Sequence, residues 1–344
     1  MPASEPPPYT ITSAVLTMVA EIAGQVGRLS VLERAGSIPK LRRESRIRSI
    51  HASLAIENNT LNLDQVTAVI AGKRVLGQPR EIQEVKNAFA AYEGMTLWNP
   101  SSAKDLLAAH RLMLQDLGVE AGKFRSSAVG IAKGGHLVHL APPADRVPGL
   151  MKNLLAWLKR TDAHPLIAGC VFHYELEFIH PFADGNGRIG RLWQTLILSR
   201  WNPLFAFLPV ETVIRDRQAD YYRVLAVCDK AGNSTAFIEF LLAALLTALR
   251  DAASAHSGEQ VGAPLSEQVG RILQACAHTP QPKVVLLESA GLANAYLNYK
   301  RHLLPLIGSG LIERTLPEKP NSRLQKYRLT PQGRVCLEQF QERP

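Results

Sequence analysis

Helical spacing of apolar residues runs through most of this chain and leaves little room for a large β-sheet. From about residue 10 to 110, and again from 145 to 250, apolar side chains recur every three to four positions, as in LRRESRIRSIHASLAIEN and TAFIEFLLAALLTALR. Residues 118–143 differ, because GVEAGKFRSSAVGIAKGGHLVHLAPP is rich in glycine and in short alternating apolar residues, which predicts a β-hairpin. The sequence therefore predicts a mainly α fold with one small hairpin.

The segment HPFADGNGRIGR at 180–191 begins with a polar, glycine-rich loop, predicted at 180–187, which separates two helical stretches. Gly185 and Gly187 allow the backbone to approach a ligand closely. The helix that follows directs its free N–H groups and the positive end of its dipole at whatever the loop holds. Arg188 and Arg191 are three residues apart, so both lie on one side of that helix and can reach the same polyphosphate. The loop is predicted to bind an anion.

Two further side chains of this loop suit phosphate chemistry. Asp184 could hold a Mg²⁺ ion, which in proteins uses one or two carboxylates together with substrate phosphates. His180 titrates near neutral pH and is a candidate general base. Phe182 is predicted to anchor the loop in the core, and an isolated histidine such as His173 is predicted to be an ordinary packed residue. A structural turn would not need two arginines beside it, so the combination favours a functional site.

The loop resembles the HPFx(D/E)GNGRxxR signature of the Fic family, with every fixed position present. The resemblance extends to GKFRSSAVGI and to APPADRVPGLMKNLLAWL, and it covers about residues 45–245. It implies the helical bundle of the Fic fold with a small β-hairpin flap. The C-terminal region resembles the winged helix-turn-helix domain that is appended to some bacterial Fic proteins.

The resemblance implies transfer of AMP from ATP to a Tyr, Thr or Ser hydroxyl of a target protein. His180 would take the proton of the hydroxyl, and Asp184 would position Mg²⁺ on the α- and β-phosphates. The implied ATP-binding residues are Gly185, Asn186, Gly187, Arg188, Ile189, Gly190, Arg191, Tyr221 and Tyr222. The flap residues Val129, Gly130, Ile131 and Ala132 would pair with an extended stretch of the target.

Two interpretations are compatible with the residues at the expected base pocket of the nucleotide. Tyr221 and Tyr222 fall where the family often lines the adenine pocket, but they are equally compatible with ordinary helix packing. Asp229 stands where related proteins can carry an asparagine that contacts the base. This departure bears on the base contact and, with it, on the nucleotide preference.

The segment from Ser53 to Asn58, SLAIEN, resembles the (S/T)xxxE(G/N) inhibitory motif of Fic proteins. Taken alone, Glu57 closes an apolar helical stretch, where its charge opposes the helix dipole, and a solvated helix end is the simple alternative. The resemblance implies a salt bridge from Glu57 to Arg191. That bridge would occupy the arginine that should hold the γ-phosphate of ATP.

The C-terminal part of the chain is predicted to form a separate domain. Small polar residues at 251–264 predict a linker, and two strand-like pieces after short helices predict a winged helix-turn-helix over 265–344. The remaining predicted boundaries are an N-terminal helical region with the inhibitory helix at 1–100 and the catalytic core at 101–250. Residues 314–328 carry five Lys/Arg against one Glu, which suits a wing on DNA phosphates.

Cysteine usage and hydropathy limit the other classes of function. The four cysteines are scattered without a CxxC pair, which disfavours zinc sites and disulfides and fits a reducing cytoplasm. No run of 18 apolar residues occurs, so we expect no membrane span. The expected partners are the target protein, the chain itself as substrate or homodimer, and DNA. The alternatives are transfer of UMP or phosphate, removal of AMP, and a DNA-binding regulator.

Overall fold

The computed structural model describes residues 6–34, 39–128, 130–133, 136–260, 267–308, 310–318, 322 and 324–341. The chain divides into two compact units, Met1–Arg250 and Asp251–Pro344. The helices that begin in the first unit are α1 Ser13–Arg34, α2 Pro39–Ile56, α3 Leu63–Ile70, α4 Pro79–Gly94, α5 Ala103–Met113, α6 Val147–Arg160, α7 Pro165–Ile179, α8 Asn186–Trp201, α9 Val210–Asp216, α10 Gln218–Ala231 and α11 Thr235–Gln260. The mainly α prediction is confirmed.

Local sequence signals account for where several of these helices begin. The Ser102 hydroxyl accepts a hydrogen bond from the N–H of Asp105, so Ser102 is the N-cap that the sequence predicts for α5. Asn62 and Gln65 form a reciprocal capping box at the start of α3. Pro165 begins α7, where its missing N–H has no cost. These caps satisfy backbone groups that a helix end would otherwise leave without a partner.

Helices α7 and α8 lie at the centre of the first unit. Both are buried on nearly every side, unlike a surface helix with a single apolar stripe. Their side chains share one core with residues of α2, α4, α5 and α6. Trp193 of α8 is fully buried, stacks on Trp98 at 6.1 Å and donates a hydrogen bond to the carbonyl of Pro100. The loop 180–185 therefore connects two helices that close packing holds in place.

The predicted hairpin is present as strands β1 Gly130–Lys133 and β2 His136–Leu140. They pair antiparallel, with Gly130 opposite Leu140 and a register shift between Ile131 and Ala132. Such a bulge bends a strand and increases its twist. The predicted flap residues Gly130, Ile131 and Ala132 lie on β1, and Val129 lies outside the described residues.

The second unit combines short helices with a small antiparallel sheet. Its elements are α12 Glu267–Ala275, β3 Gln281–Pro282, α13 Lys283–Ser289, α14 Tyr296–Asn298, a π-helical turn Tyr299–Leu303, α15 Leu304–Gly308, β4 Ile312–Arg314, β5 Lys326–Leu329 and α16 Pro331–Gln341. The strand order is β3-β5-β4. The side chains of β5 alternate between exposed and buried, so Tyr327 and Leu329 enter a core formed with the helices. The two strand-like pieces expected after the helices are thus β4 and β5.

Helix α11 extends further than the sequence indicates. It continues to Gln260, so residues 251–260 of the predicted linker are helical, and residues 261–264 lie outside the described ranges. Alanine, glutamate and glutamine are good helix formers, and AASAHSGEQ carries them without a proline. Across the ranges that the structure describes, no helix has the length and apolar character of a membrane span.

Candidate functional site

The loop between α7 and α8 is shaped by two residues in the left-handed region. His180, directly after α7, has φ 48° and ψ 60°, and its N–H closes the helix on the carbonyl of Leu176. Gly185, directly before α8, has φ 82°. Glycine adopts this conformation without strain, whereas a residue with a Cβ pays roughly 1–2 kcal/mol for it. The surroundings of His180 must therefore hold it in this conformation.

The ring of His180 is half-buried, and one of its nitrogens has a backbone partner. Nδ1 lies 3.3 Å from the carbonyl oxygen of Glu177. A carbonyl can only accept, so this contact requires the proton of a neutral imidazole to lie on Nδ1. Nε2 then carries the lone pair. The geometry of the last turn of α7 favours the tautomer that a general base needs.

Asn186 and Phe182 brace the loop from inside. The amide of Asn186 accepts from the N–H of Phe182 and donates to its carbonyl, both at 2.9 Å. Phe182 is fully buried, as predicted, and stacks on the ring of His110 at 3.7 Å. The side chain of Asn186 thus holds the loop together, and its backbone N–H is the group that can face a ligand. The N–H groups of residues 186–188 come before the first hydrogen bond of α8, which Ile189 donates to Gly185.

Arg188 is nearly fully buried and lies between two carboxylates. Its Nη2 donates to Asp184 Oδ1 at 3.1 Å, and its Nη1 lies 3.5 Å from Glu84 Oε1 on α4. Its Nε is buried without a hydrogen-bond partner among the described residues. A guanidinium that still has donor capacity next to the N-terminus of a helix can bind a phosphate oxygen.

Asp184 is the acidic group of the loop, and 37% of its side chain is exposed. Oδ1 accepts from the N–H of Gly185 at 2.6 Å, and Oδ2 lies 3.6 Å from Arg80 Nη2. The structure has no group of three His, Cys, Asp or Glu side chains that could hold a metal within the ranges it describes. A single exposed carboxylate beside the N-terminus of a helix nevertheless fits Mg²⁺ that binds together with phosphates, because phosphates and water would supply its other ligands.

Arg191 is 2% exposed. It donates hydrogen bonds to Ser53 of α2 and to Glu57, the residue that directly follows α2. Nε donates to the Ser53 hydroxyl, and Nη2 donates to the Ser53 carbonyl, both at 3.0 Å. Nη2 also donates to Glu57 Oε1 at 2.7 Å, which forms an ion pair. Burial alone would lower the pKa of Arg191, but the Glu57 carboxylate raises it above its ordinary value. The salt bridge expected from the sequence is therefore present.

Two glycines of α8 allow this close packing. A Cβ on Gly187 would collide with Glu57 Oε1 and lie 2.9 Å from Arg191 Nη1. A Cβ on Gly190 would lie 2.9 Å from the His173 ring and 3.0 Å from Glu177 Oε1 on α7. Gly187 thus leaves room for the ion pair, and Gly190 lets α8 approach α7. Asn58, the last residue of the inhibitory motif, has φ 68° and ends the segment that follows α2.

The residues proposed for the base pocket differ in their surroundings. Tyr221 is 2% exposed, and its hydroxyl lies 3.1 Å from His173 Nε2. Burial raises the pKa of Tyr221 and lowers that of His173 to about 3. Both residues are packed, which confirms the expectation for His173 and favours the packing alternative for Tyr221. Tyr222 is only half-buried and stays a candidate. Asp229 accepts a hydrogen bond from the Tyr174 hydroxyl at 3.0 Å.

Several residues contact the loop although no sequence pattern indicated them. His110 Nε2 donates to the Asp184 carbonyl at 2.9 Å, while its Nδ1 accepts from the N–H of Gly122. Arg125 Nε donates to the carbonyl of His180 at 2.7 Å. Glu84 ties Arg188 to α4. Arg125 lies within GKFRSSAVGI, a segment of the resemblance, but the sequence does not indicate its contact with His180.

Two family models match parts of this chain, and curated proteins resemble it. Residues 100–198 match the model described as the Fic/DOC family. Residues 267–330 match the model of the filamentation induced by cAMP protein Fic-like, C-terminal domain. A protein adenylyltransferase Fic from Aedes aegypti is 31% identical over 227 residues, which are 62% of this chain and 42% of that protein. Its counterpart from Nematostella vectensis is 32% identical over 222 residues, which are 60% of this chain and 49% of that protein. The matched stretch is thus less than half the length of these two relatives.

Solved structures extend the similarity along the chain. Fic-1 from Caenorhabditis elegans shares the fold, with 24% identity, a TM-score of 0.59 and coverage of 72% of this chain and 74% of that chain. A Fic family protein from Desulfovibrio desulfuricans is 56% identical, with a TM-score of 0.72 and coverage of 95% of this chain and 99% of that chain. This identity, over nearly the whole of the Desulfovibrio chain and with the loop 180–191 intact, establishes that the chain belongs to the Fic family.

Proposed function

We propose that the chain transfers AMP from ATP to a hydroxyl group of a target protein. The observation that carries this proposal is the convergence of a histidine, a helix N-terminus and two arginines on one loop, with His180 Nδ1 against a carbonyl. The names of the Aedes and Nematostella relatives, both called protein adenylyltransferases, support the same chemistry.

His180 would act as the general base of the transfer. With the proton on Nδ1 facing the Glu177 carbonyl, Nε2 would accept the proton of a Tyr, Thr or Ser hydroxyl. The hydroxyl oxygen forms a bond to the α-phosphorus as the bond from that phosphorus to the oxygen bridging the β-phosphate breaks. Pyrophosphate leaves, and the target carries AMP through a phosphodiester.

The start of α8 would stabilise the negative charge of the phosphates. The backbone N–H groups of residues 186–188 and the side chains of Arg188 and Arg191 would bind phosphate oxygens, and the half-buried Tyr222 would lie near the base. Asp184 would hold a Mg²⁺ ion, which would neutralise charge on the phosphates when bound. The contact of Oδ2 with the exposed Arg80 is long and therefore weak enough to be exchanged for the metal.

Glu57 would keep the chain inactive at rest. Its carboxylate and Ser53 occupy the donors of Arg191 that a γ-phosphate would use, and Oε1 fills the space above Gly187. A bound ATP would then lose one arginine and meet a negative charge. We infer that productive ATP binding requires Glu57 to leave Arg191.

Target proteins would dock on the flap. A strand such as β1 presents backbone hydrogen-bonding groups, so an extended target segment can add to it without a strict sequence requirement. The proposed targets include the chain itself. We also include a homodimer of this chain in the hypothesis. DNA binding through 265–344 has less support, because two basic residues of the proposed wing are engaged within it: Arg314 donates to Tyr299, and Arg328 pairs with Glu313.

Intact-mass measurement after incubation with ATP, Mg²⁺ and a target-containing lysate tests the proposal. We expect AMP-sized additions with Glu57→Gly, few with the wild type and none with the double variant Glu57→Gly/His180→Ala. Additions that survive the loss of His180 would rule out its role as base.

Parallel incubations with UTP distinguish AMP transfer from UMP transfer. An addition of the mass of a single phosphate would indicate phosphorylation. Adding the wild-type protein to a target that already carries AMP tests whether the chain removes the group. The absence of any nucleotide adduct in every sample would contradict the proposed function.

A further inference from the structure

Arg125 stands out because it is a nearly fully buried cation whose side-chain hydrogen bonds, within the part of the chain that the structure describes, all go to backbone carbonyls. It lies between α5 and β1 and is 4% exposed. Burial lowers the pKa of its guanidinium. Burying a charge is costly unless hydrogen bonds compensate for it, so the hydrogen bonds of this guanidinium offset the cost of its burial.

The acceptors belong to two different parts of the site. Nε donates to the carbonyl of His180 at 2.7 Å, and Nη2 donates to that of Ile179 at 3.3 Å. Nη1 donates to the carbonyl of Ser127 at 2.9 Å, and Nη2 also donates to the carbonyl of Pro142 at 2.5 Å. Ser127 precedes β1 and Pro142 follows β2, so the guanidinium joins both ends of the flap to the end of α7.

The backbone of the same segment is attached to the loop as well. The N–H of Arg125 donates to the carbonyl of Pro181 at 2.9 Å, and Phe124 lies against Phe182 with ring centroids 5.8 Å apart. The carbonyls at the C-terminal end of a helix carry partial negative charge and have no partner within the helix, so a cation there is favourable. Arg125 supplies that cation where His180 adopts its left-handed conformation.

This position connects Arg125 to His180 more directly than a general structural role would require. The bonded carbonyl is that of His180 itself, and the peptide it belongs to begins the loop that bends back toward α8. A ring attached to a backbone with φ 48° changes direction if that backbone relaxes toward a more common conformation. The contact of His180 Nδ1 with the Glu177 carbonyl depends on that direction.

We propose that Arg125 is a positioning residue, which fixes the backbone of His180 and fastens it to both ends of the flap. A target segment paired with the flap would then present its hydroxyl at a set distance from the imidazole. The role of the flap in this inference rests on the proposed function, whereas the hold of Arg125 on His180 does not. Loss of the guanidinium would misplace the base relative to the flap, and displacements of this kind lower rates by about 10- to 100-fold.

The test compares Arg125→Met and Arg125→Lys in the Glu57→Gly background by NMR of the histidine rings. The His180 signals are assigned by their loss in His180→Gln. The matched control is Arg160→Met, because Arg160 Nε also donates to a backbone carbonyl, that of Ala156, but at the exposed end of α6. We expect Arg125→Met to change the ring shifts and the titration midpoint of His180, Arg125→Lys to change them less, and Arg160→Met to leave them as they were.

Kinetics provide the second measurement. For AMP transfer to protein we expect kcat to fall by about 10- to 100-fold in Arg125→Met, with KM for ATP little changed, because the phosphate site does not involve Arg125. Added guanidinium should restore part of the rate in Arg125→Ala. A general loss of folding would instead lower the active fraction and would not be rescued.

Unchanged His180 signals in a folded Arg125→Met protein would overturn the proposal, and so would equal changes in Arg160→Met. If Arg125→Met does not fold, the His180 signals of Arg125→Lys are compared in its place, and unchanged signals in that variant would overturn the proposal. A Glu57→Gly parent that transfers no AMP would refute the proposed function, and the NMR comparison would still decide whether Arg125 positions His180.

Discussion

Replacing Glu57 by glycine removes the carboxylate that engages Arg191, and the structure allows the size of the effect to be worked out. Nη2 of Arg191 lies 2.7 Å from Glu57 Oε1, and the arginine is 2% exposed. A hydrogen bond to a charged group contributes about 1.5–3 kcal/mol. Because 32% of the Glu57 side chain is exposed, solvent screens the pair, and we take about 2 kcal/mol. The ion pair must break before Arg191 can bind a γ-phosphate, so ATP binding is weakened by about this free energy.

A cost of about 2 kcal/mol corresponds to about a 30-fold change in an equilibrium constant. We therefore expect Glu57→Gly to raise kcat/KM for ATP by about 30-fold, and more if repulsion between the carboxylate and the γ-phosphate adds to the cost. Glu57→Gln should give a smaller increase, because an amide retains the hydrogen bond and loses the charge. The hydrogen bonds from Arg191 to Ser53 should remain in each variant, because neither substitution changes those two residues.

Release of pyrophosphate at subsaturating ATP measures this ratio. The decisive control is a double-mutant cycle with Arg191→Gln, because removing Glu57 should change little once Arg191 is absent. Equal values of kcat/KM for the wild type and a folded Glu57→Gly would refute the reasoning. An increase that persists in the Arg191→Gln background would show that Glu57 acts on another group.

Three further expectations follow from the packing around the site. Gly187→Ala should lower the free energy of unfolding by about 1–3 kcal/mol, because its methyl group collides with Glu57, and Glu57→Gly should relieve much of that loss; equal losses in both backgrounds would contradict the collision. His173 has a folded-state pKa near 3 against an ordinary 6.5, so its contribution to stability is complete above 6.5 and is lost as the pH falls toward 3. Chemical denaturation between about pH 6 and 4 should give His173→Gln a slope shallower by up to about 1.4 kcal/mol per pH unit, and identical slopes would exclude His173 as the cause. The cysteines are free and buried, and burial raises the pKa of Cys276 to about 11, so thiol reagents should react with the chain only after denaturation; prompt reaction of the folded protein would disagree.

The residues of the loop were predictable because they are consecutive in sequence. A histidine, glycines and arginines within 180–191 meet at one helix start whatever the rest of the chain does. The pairing of Glu57 with Arg191 could be expected because the inhibitory segment resembles a family motif. Neither residue alone predicts it, since an exposed glutamate at a helix end is common.

Arg125, His110 and Glu84 could not be predicted in the same way. Arg125 and His110 bind backbone carbonyls, and a carbonyl is present at every position, so these contacts leave no pattern in the sequence. Glu84 meets Arg188 only because α4 packs beside α8 in the folded chain. Tyr221 shows a different limit of the sequence, because a tyrosine at helical spacing is compatible with both a ligand pocket and a packed core. Its burial in the structure favours the packed core.

The ion pair between Glu57 and Arg191 joins two positions of one polypeptide that are 134 residues apart. Both partners belong to the same compact unit, so their effective concentration is set by the fold and does not change when the protein is diluted. On the proposed function, each newly folded chain would be inactive before it met another molecule. Dilution alone would not activate it. Any activator would have to compete for Arg191 with the Glu57 carboxylate, which is part of the same chain.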